Sequence, residues 1–246
     1  MANTNYIELK DEVTIVIPCY NEVNYIRQTL TALSLQHGIA GTRVIVCDNN
    51  SNDGTISEII KCQKLFRNKI KIEIRSGGRV AKARNIGASL ATTKYVLFLD
   101  ADSVLTNKSQ ILDCVNIIKS KALHLVTCKA KSTSSAIMSR LAFSSFNIVN
   151  SILSKKIPFA VGTFFLTDRN QFFIKGKFDE TLQHSEDFIL SKKYEVSRFA
   201  IVPHYIGQDD RRFKKMGYFG MTKLLVKSFI NRNNLDFFRK DVGYWL

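Results

Sequence analysis

The sequence predicts an α/β fold, a mostly parallel, Rossmann-like β-sheet with helices on both faces, and three observations predict it. From Val13 onward short β-branched runs alternate with helix-like stretches, the runs are apolar without a polar residue at every second place, and polar clusters close several of them. Strand–helix alternation is the mark of parallel strands joined by crossover helices. Strands covered on both faces have no solvent side on which to place alternate polar residues.

The elements follow in order. "VTIVIP" from Val13 is the first strand and 22–36 the helix after it. "RVIVCD" is the second strand, and 55–66 a helix whose start is marked by Gly54, free to take positive φ, and Thr55, a capping hydroxyl. "KIEIRS", the helix-like "VAKARNIGASLAT", the strand "YVLFLD", the helix-like "NKSQILDCVNIIKS" and the strand "LHLVTC" continue the rhythm. Beyond residue 130 it loosens into a long helix-like stretch over 134–154, a strand "GTFFLTD", a helix beginning near Glu186 and a short strand "RFAIVP". Neither a linker rich in Gly, Pro or Ser nor a repeat interrupts the chain, so 1–210 is expected to form a single domain, with 211–246 as a basic C-terminal segment.

A chain of 246 residues that is 45% hydrophobic and 23% charged can bury a full core. The most membrane-like stretch, "LAFSSFNIVNSILS" from Leu141, is too short and too rich in Ser and Asn to span a bilayer, which needs ~20 apolar residues. The opening "MANTNYIELKDE" lacks the features of a secretory leader, so a cytoplasmic location is expected. Single cysteines at 19, 47, 62, 114 and 128, with no C-x-x-C pair, argue against a disulfide framework and a structural zinc site. The net charge of +15 attracts polyanions of any kind, and residues 211–240 concentrate it, with nine Lys or Arg against the single acid Asp236.

Chemistry-bearing residues gather where strands end, the place at which open α/β sheets bind ligands. Asp100 and Asp102 close "YVLFLD"; a carboxylate pair held in a crevice suits Mg²⁺ or Mn²⁺, although the same residues can serve as a plain turn with a helix cap. Asp48 ends the second strand before "NNSNDGT", either as turn chemistry or as an acceptor for a base or ribose. Arg79, Lys82 and Arg84 follow two glycines and could meet phosphate. Glu186 and Asp187 open a helix, where acids stabilise the dipole and where one of them could take a proton from a nucleophile. Arg211 and Arg212 follow two acids, either as a solvated charge run or as forks for a leaving phosphate.

In this order and spacing, over roughly residues 13–217, the pieces resemble the nucleotide-sugar glycosyltransferases of family 2. "VTIVIPCYNE" and "VIVCDNNSNDGT" look like the family's first two strands, "AKARNIGA" its A-R-N-x-G element, "VLFLDADS" its D-x-D, and "PFAVGTFFLTDRNQFFIKGKFDE" the acceptor-side segment before its E-D pair. The resemblance implies a GT-A fold with a nucleotide-binding half at 13–105 and an acceptor half at 106–210. It implies a nucleotide-diphosphate-sugar site at Pro18, Tyr20, Glu22 and Asp48, with Arg84 near the diphosphate. It makes Asp102 the principal metal ligand, turns Asp100 to ribose and metal, makes Asp187 the base of an inverting transfer, and gives Arg211 and Arg212 the departing diphosphate.

Two departures refine this. Processive relatives carry Q-x-x-R-W, whereas Gln208 and Arg211 here are followed by Arg212, which suggests transfer of one sugar. Polyprenol-phosphate transferases place Gln soon after D-x-D, where this chain has "SVLT". The acceptor, a glycan, lipid-linked or other hydroxyl, is left open; cell-envelope or surface glycan synthesis is the expected setting. The alternatives are a nucleotidyltransferase, which ordinarily has a Gly-rich loop after the first strand, and a non-catalytic basic module; no nucleic-acid motif is present. Finally, Tyr218, Met221, Leu225 and Phe229 form a stripe at helical spacing, either core packing or a peripheral contact with an anionic membrane surface.

Overall fold

The computed structural model describes residues 8–243; the first seven residues, with most of the stretch read for a leader, and the terminal "YWL" lie outside the described residues. Helix α1 (Leu9–Glu12) leads into β1 (Val13–Cys19), and the first half alternates through α2 (Ile26–Ser34), β2 (Thr42–Asp48), α3 (Thr55–Leu65), β3 (Ile70–Ser76), α4 (Val80–Leu90) and β4 (Tyr95–Leu99). Next come β5 (Val104–Leu105), α5 (Gln110–Ser120), β6 (Leu125–Ser132), α6 (Ile137–Leu153), β7 (Phe164–Asp168), α7 (Arg169–Ile174) and α8 (Glu186–Ser191). The chain finishes with β8 (Phe199–Gln208), α9 (Arg211–Met216), α10 (Tyr218–Ile230) and α11 (Leu235–Arg239).

The strands form one eight-stranded sheet in the order β3-β2-β1-β4-β7-β6-β8-β5. Strands β1 to β4 pair in parallel, β6 and β8 run the same way, and β7 and the two-residue β5 run against them. Every residue of β1 and β4 is buried, the physical reason their sequences do not alternate. One face packs on α2, α3 and α5 through Ile26, Leu30, Ile59, Ile111 and Val115. The other packs on α4, α7 and α8 through Ala81, Ala88, Phe172 and Leu190, with Phe98 edge-on to Phe165 and Phe178.

Several elements differ from the sequence reading for identifiable reasons. Helix α2 starts at Ile26, later than expected, because the preceding turn is tied across to the next loop: Asn21 (φ 53°) donates its N–H to Ser51 Oγ and Glu22 donates to Thr55 Oγ1. Strand β8 runs on to Gln208 because β6 offers it a partner along its length, through a bulge at Cys128/Lys129. The short β5 and α7 are too brief to leave a periodic signal.

The antiparallel β7 carries the greatest consequence. Its first residue, Phe164, pairs with Leu99 at the end of β4, so residues 161–163 lie beside the Asp100–Ser103 turn. The segment after residue 210 closes on the body: Phe238 is fully buried against Leu182, Phe188 and Ile189, and the Gln183 N–H donates to its carbonyl at 2.8 Å. In α10 the stripe turns largely inward. Met221 is buried and Phe229 packs toward Phe238, so the packing alternative holds for those two residues.

Candidate active site

Strand β4 ends in a turn in which the Ser103 N–H donates to the Asp100 carbonyl. Thr29 Oγ1 in α2 donates to the Ala101 and Ser103 carbonyls at 2.7 and 2.9 Å, fixing this turn from below. Ala101 is buried between the two aspartates, and the carboxylates of Asp100 and Asp102 line the crevice outside the strand ends.

The "ARNIG" run of α4 divides its work. Gly87 lies where a Cβ would stand 2.2 Å from Val16, so only glycine lets the helix approach β1 this closely. Asn85 clamps the Phe178 backbone, donating to its carbonyl and accepting from its N–H. Arg84, only 2% exposed, donates at 2.7 Å to Asp100 on one side and at 2.7 Å to Glu186 on the other, its guanidinium over the Phe178 ring. Burial opposes its charge, but Asp100, Glu186 and Asp187 outweigh that and hold it protonated. The resemblance puts this arginine near the diphosphate; in the structure it is engaged within the acidic cluster.

Asp187 stands in the first turn of α8, after Ser185 in the left-handed region at φ 58°. Its carboxylate accepts from the Gly162 N–H at 2.6 Å and the Phe188 N–H at 2.7 Å. Burial, then the neighbouring Glu186 charge, push its pKa up to about 6 against the opposing effect of Arg84 and the two amides. Gly162 leaves room for this contact: a Cβ there would lie 2.7 Å from Arg84 Nη2 and 3.1 Å from Asp187 Oδ2, so one of these paired groups would have to shift. Sequence reading missed Gly162, whose signal was only a glycine just before a strand. It also missed that Glu186 anchors Arg84.

A second ion-pair group closes the crevice from the C-terminal side. Arg211 donates to both oxygens of Glu22, at 3.1 and 2.6 Å, and to Asp102 at 2.8 Å, with its guanidinium 4.9 Å from the Tyr25 ring centroid. Burial raises the pKa of Glu22 against the pull of Arg211. Burial and then the Asp100 charge raise that of Asp102, opposed by Arg211 and Arg212.

Around these groups lie two connected spaces. A crevice of about 460 Å³ is lined by Pro18, Tyr20, Glu22, Asn49, Gly78, Arg79, Arg211 and Arg212. A pocket of about 140 Å³ has Arg84, Gly162, Glu186 and Asp187 at its polar end and Phe143, Phe146, Phe159, Phe213 and Met221 as an aromatic and apolar wall. Asp100, Asp102, Arg211 and Arg212 line both. Asp48 lines neither; it accepts from the Ser51 N–H at 2.9 Å and hydroxyl at 2.5 Å. The aromatic wall was not foreseen, because its members come from separate elements.

Among the described residues no group of three or more His, Cys, Asp or Glu is gathered that could hold a metal ion. The residues nevertheless fit a hard divalent cation. Asp100 and Asp102 are adjacent oxygen donors, and Asp102 already shares a cation, Arg211, with Glu22. Mg²⁺ in particular is commonly held by one or two carboxylates together with substrate phosphates. His204 is committed elsewhere, 2.9 Å from Asp113, and the five cysteines are buried and free.

Solved structures share the fold. A mannosyltransferase of Pyrobaculum calidifontis in complex with GDP-Man and Mn²⁺ superposes with a TM-score of 0.67 at 18% identity, covering 87% of this chain and 64% of the other. TarS of S. aureus (residues 1–349) in complex with UDP-GlcNAc gives 0.64 at 21% identity, covering 80% and 58%. Both carry the GT-A arrangement, which is therefore the fold of this chain. By sequence, the chain is 32% identical over 116 residues to a chondroitin synthase of Pasteurella multocida, covering 46% of this chain and 12% of that protein. It is 27% identical over 154 residues to a poly(ribitol-phosphate) beta-glucosyltransferase of Bacillus spizizenii, covering 61% and 24%. It thus spans a quarter or less of the length of these two relatives. The sequence pattern of Glycosyl transferase family 2 matches residues 14–173, well over half of the chain. The chain belongs to glycosyl transferase family 2.

Proposed function

We propose that this protein transfers one sugar from a nucleotide-diphosphate sugar to an acceptor hydroxyl, with inversion at the anomeric carbon, in the synthesis of a cell-envelope or surface glycan. One observation carries the reading: buried Arg84 is ion-paired on one side to Asp100 and on the other to Glu186, the neighbour of Asp187, so the donor-side and acceptor-side carboxylates are held in one frame.

In this reading the crevice beside Pro18, Tyr20 and Glu22 takes the nucleoside, and Asp48 acts there by holding its loop. Asp100 and Asp102 would hold Mg²⁺ or Mn²⁺, which when bound would supply charge stabilisation to the leaving diphosphate. Arg211 and Arg212, at the junction of crevice and pocket, add cationic charge at the same place. Asp187 accepts the proton of the acceptor hydroxyl. The acceptor oxygen then bonds the anomeric carbon as the bond from that carbon to the diphosphate oxygen breaks, its electron pair leaving with the nucleoside diphosphate. Attack from the face opposite the leaving group inverts the centre.

The test is a thermal-shift and hydrolysis screen of nucleotide sugars and nucleoside diphosphates, with and without Mn²⁺. The expected result is stabilisation by at least one nucleoside diphosphate that depends on the metal, with slow release of sugar from the matching donor. Binding indifferent to metal, or to none of the panel, would contradict the reading.

A further inference from the structure

Helix α6 presents a broad apolar arc to solvent. Three of its polar side chains turn toward the body: Asn147 donates to and accepts from the Ala130 backbone at 2.7 and 2.9 Å, Ser139 donates to Asp210 at 2.6 Å, and Asn150 donates to the Phe159 carbonyl at 3.2 Å. Phe143 packs inward, but six other apolar side chains turn to solvent: Ile137 is 71% exposed and Ile148 62%, with Met138, Leu141, Val149 and Ile152 also more than half exposed. At the turn of an α-helix these six residues occupy one arc of about 120°. A helix on a soluble body ordinarily places such an arc on the core, and a contiguous exposed apolar stripe marks an interaction surface.

Charge identifies the partner. No acidic residue lies between Asp113 and Asp168, whereas Arg140, Lys155 and Lys156 stand exposed on or just after α6. Helix α10 repeats the pattern, with Phe219, Val226 and Ile230 exposed beside exposed Lys223 and Lys227. Apolar stripes edged by cations complement a surface of acyl chains beneath phosphate headgroups. A second copy of this chain would bring cations against cations. The two helices are joined through Ser139 and Tyr218, whose hydroxyls are 2.7 Å apart, and together they wall the pocket that holds Asp187.

We propose that the outer residues of α6, with those of α10, form a membrane-docking face that rests on an anionic bilayer and brings the mouth of the Asp187 pocket to the headgroup layer. The proposal rests on the transfer reading only for what that pocket does. The face itself is defined without it, and it differs from the inward-packed Met221 and Phe229.

The experiment is flotation of the full chain with vesicles of phosphatidylglycerol or of phosphatidylcholine, at low and high salt. The variants are Ile148→Glu/Ile152→Glu and Lys155→Ala/Lys156→Ala. All four positions are outside the catalytic pocket, and circular dichroism with nucleoside diphosphate binding, measured without vesicles, checks that fold and donor site are intact. The expected result is binding to phosphatidylglycerol alone, weakened by salt, reduced about tenfold or more by the glutamates and less by the alanines. Wild-type protein left in the supernatant with both vesicles, or glutamate variants that float as wild type does, would overturn the proposal. So would a wild-type oligomer that the glutamates dissociate in the absence of any vesicle binding. Loss of donor binding in the wild type would instead bear on the transfer reading.

Discussion

At the scale of single residues, the chemistry depends on where charge is held. Asp187, with its pKa pushed up to about 6, must be ionised to accept a proton. Below pH 6 it is increasingly protonated, so kcat/KM should fall by about tenfold per pH unit on the acid side and level off above, a limb that Asp187→Asn should abolish together with the activity. Arg84 makes a different prediction. It is buried between Asp100 and Glu186, so Arg84→Met leaves two carboxylates facing each other without their cation. Unfolding by denaturant should show a loss of about 3–5 kcal/mol, the usual consequence of removing one partner from a buried ion pair. Arg84→Met as stable as the wild type would show that the bridge does not hold the two halves of the site together.

At the scale of elements, the parallel half of the sheet was legible in the sequence because burial on both faces leaves continuous apolar runs, as in β1 and β4. The carboxylates of the site were legible because motifs such as "DAD" after β4 and "ED" at the start of α8 are local. What the sequence hid is pairing between distant segments. Nothing local to "GTFFLTD" reveals that β7 runs antiparallel and so delivers Gly162 to Asp187, nor does "NEVNYIRQ" reveal that Glu22 meets Arg211. The exposed apolar arc of α6 was equally hidden, since periodicity shows a stripe but not which way it faces. Gly162→Ala tests the β7 placement. Its methyl group would press on Arg84 and Asp187, so stability should drop by about 1–3 kcal/mol, as overpacking usually costs. Turnover should fall further than nucleotide affinity, because the crevice is lined by other residues. Equal losses in both would mean that residues 161–163 serve the nucleotide site instead.

At the scale of the whole molecule, two halves of the sheet present their strand ends to one cleft, and the C-terminal helices close it. Arg211 reaches from α9 to Glu22 after β1 and to Asp102 after β4, while Phe238 anchors the end of the chain beneath α8. Among the described residues no helix is long and apolar enough to cross a membrane. In the proposed reading the excess of positive charge serves both a diphosphate inside the cleft and anionic surfaces outside it. The central claim is that Asp102 serves donor and metal while Asp187 serves the chemistry. It is tested most directly by measuring, on the same preparations, Mn²⁺-dependent donor binding by calorimetry and sugar release for Asp102→Ala and Asp187→Asn. Asp102→Ala should lose both metal-dependent binding and turnover while remaining folded, and Asp187→Asn should bind donor with wild-type affinity yet release no sugar. Asp102→Ala turning over within about tenfold of wild type, a barrier change of only ~1.4 kcal/mol, or Asp187→Asn losing affinity in step with rate, would contradict it.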